Sequence, residues 1–472
     1  MKLIRTFALI ISIGLLVSAC GKDDGQSVVS AKQNSNPLLA HVPADTAYVY
    51  ANLENLPKEV TDAYVDRFQP AMDMLDKHIG QLKDEYAAGQ HQDDAMVQFA
   101  MVVLEEMGGD LSVENLEKLG ISLQADHAIY AMGVFPVMRL ELTDATELID
   151  FIGRVEARMG MSLPVNDLNG TSFWRISDED EPVGMYISIL DKQLVVAAFP
   201  TSAEADFLAE VLGQEMPANN MAENNTLAQL NQKKGYLGYA TGMLDMEKLS
   251  DEFLTAGSTT RAYLGPEVSA ELETLDPTCI AEVKSMIAIA PRMTVGTTAF
   301  TANEMAVRYD LEIENSLAAG LLNLVSDTPS AVEGDYLLSA SLALKVGKLR
   351  NFILEKATSI AATPYECIHL QELNSNAEQM AVQLNIPMPP MVNNLNGVRI
   401  RMDSFDPTAE LNQASGLIAV HVDKPEMFVG MASMMVPGFD KLDLANQSEP
   451  VKIPSDVIPL EGMDMYALMG KN

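Results

Sequence analysis

Six histidines, three cysteines and 29 methionines are the residues of this chain best suited to chemistry, and their spacing decides what they can do. His41, His78, His91, His127, His369 and His421 never recur four apart, so no two imidazoles share a helical face in the zinc-binding pattern. No Gly-x-Ser-x-Gly nucleophile elbow and no phosphate-cradling Gly-x-x-x-x-Gly-Lys occurs. No catalytic, cofactor or metal residue is therefore assigned, and an enzyme is not expected; a hydrolase with an unfamiliar site is the least favoured alternative.

Three clusters carry residues that could bind a ligand. Asp178, Glu179, Asp180 and Glu181 precede Pro182, but they lack the alternating ligand spacing of a calcium loop and read as a solvated connection. His91, Asp93 and Asp94 offer mixed ligands for a divalent ion, yet they fall in a polar break between two helical stripes. Met431, Met434 and Met435, and Met463, Met465 and Met469, are soft thioethers suited to Cu(I) or to an adaptable apolar groove. Core filling is the expected role, with the groove favoured over copper.

Cys20 stands apart from the other two cysteines. Lys2 and Arg5 precede an apolar run, Phe7 to Leu16, and Val17, Ser18 and Ala19 lead into Cys20. This order resembles a bacterial lipoprotein signal, with 1–19 removed and a flexible tether over 20–37. The resemblance implies a diacylglycerol thioether and an acylated amino group on Cys20. Gly21 after the cysteine implies the outer membrane, facing the periplasm, with the outer leaflet of the inner membrane as the alternative. In such an oxidising compartment Cys279 and Cys367 are expected to form a disulfide.

The formal net charge is −35, and −37 once Lys2 and Arg5 leave with the signal. Nucleic acid and anionic lipid headgroups are therefore poor partners, repelled by this charge, and no nucleic acid is expected. A well-solvated surface accounts for most of this charge. At 48% hydrophobic residues over 472 positions, there is ample material for more than one core.

The elements that must position any site read as α+β. Asp167, Leu168, Asn169 and Gly170 lead into strand-like Thr171 to Ile176, and Asn394, Leu395, Asn396 and Gly397 lead into Val398 to Met402. Upstream of each lies a strand and an amphipathic helix, with Leu148, Phe151, Ile152 and Val155 in one and Leu349, Phe352, Ile353 and Lys356 in the other. Asp144, Asp245 and Asp423 are placed to cap helices. Hairpins are expected about Asp191 and Lys192 and about Asn303 and Glu304. The reading is two related modules over 38–216 and 235–472, joined near Pro217 to Lys234. Each is an antiparallel sheet with helices on one face. A helical insertion over about 57–118 belongs to the first, carrying stripes Val60, Tyr64, Phe68, Met72, Leu75, Ile79, Leu82, Tyr86 and Met96, Phe99, Val103, Met107. A short C-terminal strand is expected to close the second module.

Leu39, Val42, Pro43, Ala44, Asp45, Thr46, Ala47 and Tyr48 resemble the opening of a group of uncharacterised bacterial envelope lipoproteins, whose domains begin with Pro-Ala-Asp-Thr entering a first strand. The resemblance carries no catalytic residues. It implies a lipid-anchored envelope protein with a non-enzymatic binding or assembly role and an envelope protein partner. A carrier of an apolar ligand such as a lipid is the alternative.

Overall fold

Ten strands form the larger of two main sheets in the computed structural model, which describes residues 36–63, 65, 80, 95–107, 112–160, 162–176, 183–301, 304–326, 336–404, 415–454, 457 and 465–470. The signal, Cys20, the tether up to 35, most of the stripe from Tyr64 to Tyr86, His78, His91 to Asp94, Asp178 to Pro182, Asn303 and Met463 lie outside those residues. The fold is mixed α+β with antiparallel sheets. The chain divides into two units, Met1–Leu275 with Val283–Ile313, and Asp276–Glu282 with Glu314–Asn472.

The first unit holds β1 (Tyr48–Ala51), β2 (His127–Met132), β3 (Phe135–Glu141), β4 (Val165–Leu168), β5 (Thr171–Ile176), β6 (Val183–Leu190), β7 (Gln193–Pro200), β8 (Thr241–Asp245), β9 (Arg292–Phe300) and β10 (Met305–Glu312). Their order is β10-β9-β8-β1-β2-β3-β7-β6-β5-β4. The expected boundary near Pro217 to Lys234 does not separate sheets. That stretch folds into the helices Met221–Asn224 and Thr226–Lys234, and the chain then returns to pair β8 with β1. Residues 241–312 thus extend the first sheet.

Local chemistry explains the turns. Asn169 and Gly170 both take positive φ, 49° and 87°, the pair of left-handed residues that a tight hairpin between β4 and β5 requires. Asp191, at φ 51°, turns β6 into β7 with a single left-handed residue. Asp144 accepts from Thr146 N at 2.8 Å and Asp245 from Lys248 N at 3.0 Å, so both cap helices as expected.

One face of this sheet is sealed. Val49, Tyr130, Val137, Val195, Ala197 and Phe199 point alternately to one side and pack with Phe207, Leu208 and Val211 of the helix Glu204–Val211, and with Leu227 of the helix Thr226–Lys234. Arg139 sits fully buried among them. It donates to Tyr130 Oη and Gln193 Oε1 at 3.2 Å, and to the carbonyls of Glu210 at 3.2 Å and Val211 at 2.7 Å. Those carbonyls are the negative end of a helix, which makes a cation tolerable in the core. The second face is covered too. Ile189 and Leu194 meet Leu148, Phe151 and Val155 of the helix Ala145–Met159 and Val102 and Val103 of the helix Ala95–Glu106. Helices therefore flank both faces rather than one, because runs such as Leu194 to Phe199 are apolar at every position.

The second unit is built on β11 (Leu338–Ala343), β12 (Leu395–Ser404) and β13 (Ser415–Val422), in that order. The helices Val346–Ala362 and Gln371–Leu384 pack side by side, each burying an alanine, Ala357 and Ala377. The expected C-terminal strand, Tyr466–Ala467, pairs with Val451–Lys452 as a separate ribbon rather than joining that sheet. The second Leu-Asn-Gly also departs from its counterpart. Leu395, Asn396 and Gly397 lie inside β12, at a register shift, and make no hairpin turn. Gly397 is small for another reason: a Cβ there would stand 2.5 Å from the Leu342 carbonyl oxygen. Asp423 does not cap the helix Pro425–Met435, whose cap position is Lys424; its carboxylate accepts from Asn396 Nδ2 at 2.5 Å instead.

Candidate functional site

The strongest anomaly in burial lies on the three-stranded sheet of the second unit. Leu338 pairs with Met402, Ala340 with Ile400 and Leu342 with Val398; Val398 pairs in turn with Val420, and Ile400 with Ile418. Residues directly opposite one another share a face, so these eight apolar side chains form one surface. It is open: Leu342 is 64% exposed, Ile418 70%, Leu338 51%, Ile400 50% and Val420 43%. The other face carries the polar positions. Arg399 donates to Ser339 Oγ at 3.4 Å and Arg401 to Asp403 at 3.2 Å. Single exposed aliphatics are ordinary, but a contiguous patch of this size marks an interaction surface.

Next to the end of this sheet is a polar cleft of about 370 Å³, lined by Lys345, Gly347, Lys348, Asn351, Asn393, Asn396 and Asp423. It opens at the start of the helix Val346–Ala362, whose cap residue Lys345 supplies no side-chain hydrogen bond to the first turn. Neither Lys345 nor Lys348 forms an ion pair among the described residues. Free helix N–H groups and two ammonium groups suit a small polar or anionic group, with Asp423 opposing the latter.

The sulfur atoms of Cys279 and Cys367 lie at bonding distance, with Cα atoms 4.5 Å apart. Both are buried, and Glu282 holds the second cysteine's loop by accepting from the backbone N–H groups of Glu366 and Cys367, each at 2.9 Å. Among the described residues no three His, Cys, Asp or Glu side chains come together as metal ligands. His369 is exposed; His127 is packed 5.8 Å from Tyr50, ring to ring. Burial lowers the His127 pKa, and burial together with the nearby Arg139 charge lowers that of His41 to about 4. No described helix is long and apolar enough to cross a membrane.

The methionine clusters split. Met469 is buried with Leu442, Leu444 and Ile453, and Met465 packs against them. Met434 and Met435, by contrast, are 79% and 70% exposed, so they fill no core. Sequence reasoning missed the open face of β11 to β13. The signal available was the absence of charge from Leu338 to Ala343 and Ser415 to Val422, which reads equally as a covered strand. Comparison of the chain with protein-family models, with curated proteins and with solved structures finds no match.

Proposed function

We propose that this chain is an envelope protein anchored by lipid on Cys20 in the outer membrane, facing the periplasm, whose work is to bind another protein. The open apolar face of β11, β12 and β13 is the observation that carries the reading. Its side chains stand on a sheet exposed to solvent and do not line an enclosed cavity, which suits a flat protein surface better than an acyl chain. The acidic net charge gives solubility to a body with such a patch, and the lipid holds it among membrane-bound partners.

A photoreactive residue in place of Ile418, in cells making the full chain, tests this. Crosslinking to protein at Ile418, with none at a sealed position such as Val137, is expected. Stoichiometric lipid co-purifying with a Cys20→Ser version, without protein crosslinks, would overturn the reading in favour of a carrier. Intact mass of the anchored form should show cleavage before Cys20 and added acyl groups; an unmodified start removes the anchor.

A further inference from the structure

The free edge of the small sheet is as unusual as its face. β13 pairs with β12 on one side and, among the described residues, with nothing on the other. Its sequence, Ser415-Gly-Leu-Ile-Ala-Val-His-Val422, holds no Lys, Arg, Asp, Glu or Pro. Both faces of the strand are exposed, Leu417 by 47% and Ile418 by 70%. An unpaired row of backbone N–H and C=O groups on a long apolar strand is a template for another strand, and natural edges are ordinarily blunted against it.

The edges of the large sheet show that protection. β4 is four residues long, follows Pro164 and contains Asp167. β10 carries Arg308, Asp310 and Glu312 and a register shift at Ala306 and Val307. The outer edge of β11 is closed at one end by the bridge between Val325 and Leu344. Among the described residues β13 has no charged residue, no proline and no bridge along its outer edge; it shares only the register shifts, which fall in its ladder with β12.

We propose that β13 pairs antiparallel with β13 of a second copy about a two-fold axis, joining two three-stranded sheets into six strands. The inference rests on the reading of this sheet as a protein-docking surface and names the partner. Its warrant is self-complementarity. A two-fold perpendicular to the sheet keeps like faces together, so residues opposite each other must share a face. With Ile418 opposite its own copy, Gly416 faces Val420 and Leu417 faces Ala419, a small side chain against a large one at each step. No like charges meet anywhere along the seam, although each chain is strongly acidic. The apolar face then runs unbroken across both copies. Pairing strands of this length buries on the order of 1,000 Å² in total, at the lower bound for a specific interface. The dimer is therefore weak in solution, and two copies tethered to one membrane reach it through raised effective concentration.

Sedimentation of the full mature chain carrying Cys20→Ser tests the pairing. A monomer–dimer equilibrium in the micromolar range is expected, tightening as salt screens the repulsion between acidic bodies. Ile418→Lys, which puts two ammonium groups at the axis, should weaken it at least about 100-fold with an unchanged melting curve. Ile418→Cys should form a disulfide-linked dimer under mild oxidation, and Ser415→Cys, far from its own copy in this register, should not. A chain that stays monomeric at high concentration and high salt, or an Ile418→Lys variant that dimerises like the parent, overturns the proposal. Crosslinks from Ile418 in cells to a different protein, without dimer, would sink the self-pairing while leaving the docking surface standing. No protein crosslink from that position would remove both.

Discussion

β7 and β13 are strands of the same length, free of formal charge and rich in aliphatic residues, yet their fates differ. β7 lies between β3 and β6, and its Val195, Ala197 and Phe199 are sealed under the helices Glu204–Val211 and Thr226–Lys234. β13 lies at an edge with Ile418 and Val420 open. Strand composition thus does not decide burial. Neighbouring elements do: the first unit sends apolar helical stripes to both faces of its sheet, whereas none of the core clusters among the described residues takes in a residue of β11, β12 or β13.

Paired truncations put the largest strain on that comparison. Phe199→Ala should cost about 3–5 kcal/mol, through lost burial and the cavity left beside Tyr186, whose ring stacks on it at 4.0 Å. Leu342→Ala should cost less than about 0.5 kcal/mol, because its side chain already meets water. Denaturant unfolding of both variants measures the contrast, and equal losses would mean that the open face is covered in solution. Removing the cross-link comes next. With Cys279 and Cys367 88 residues apart, the double serine variant should lose about 2–5 kcal/mol. Hydrogen exchange should locate that loss in the second unit and leave amides of β7 protected as before. Loss of protection in β7 would show that the first core depends on the bridge.

Much of the fold was legible from local rules. Asp144 and Asp245 announced helix starts, and Asp191-Lys192 announced a hairpin, because each such feature is settled within a few residues. The second Leu-Asn-Gly misled for a tertiary reason. Gly397 is demanded by the Leu342 carbonyl across the sheet, a contact that no local pattern reveals. The continuation of the first sheet through β8, β9 and β10 was hidden for the same reason, since strand order is decided by long-range pairing. The candidate site was the least legible part. Hydrophobic alternation identifies a strand, but the missing cover over Leu342 and Ile418 can be seen only once every neighbour is in place.

The pH dependence set by one histidine also separates the units. His41 is partly buried beside Arg139, and burial first, then that charge, favours the neutral imidazole and lowers the pKa from 6.5 to about 4; its Nδ1 has no hydrogen-bond partner among the described residues. The unfolded chain therefore takes up this proton first. The contribution is full above pH 6.5 and is lost as pH falls from there to about 4. After discounting for solvent screening at a partly exposed group, the loss amounts to about 1–2 kcal/mol. Burial lowers the His127 pKa and acts with the same sign, while the carboxyls of Asp126 and Glu210, raised by burial, gain relative stability on protonation and oppose it. Subtracting the pH profile of His41→Gln from that of the parent isolates the one group. The difference should appear below pH 6.5 in the unfolding of the first unit alone, because His41 and Arg139 both belong to it. Parallel profiles would mean that the imidazole is solvated, and that the first unit is less tightly sealed around Arg139 than its packing indicates.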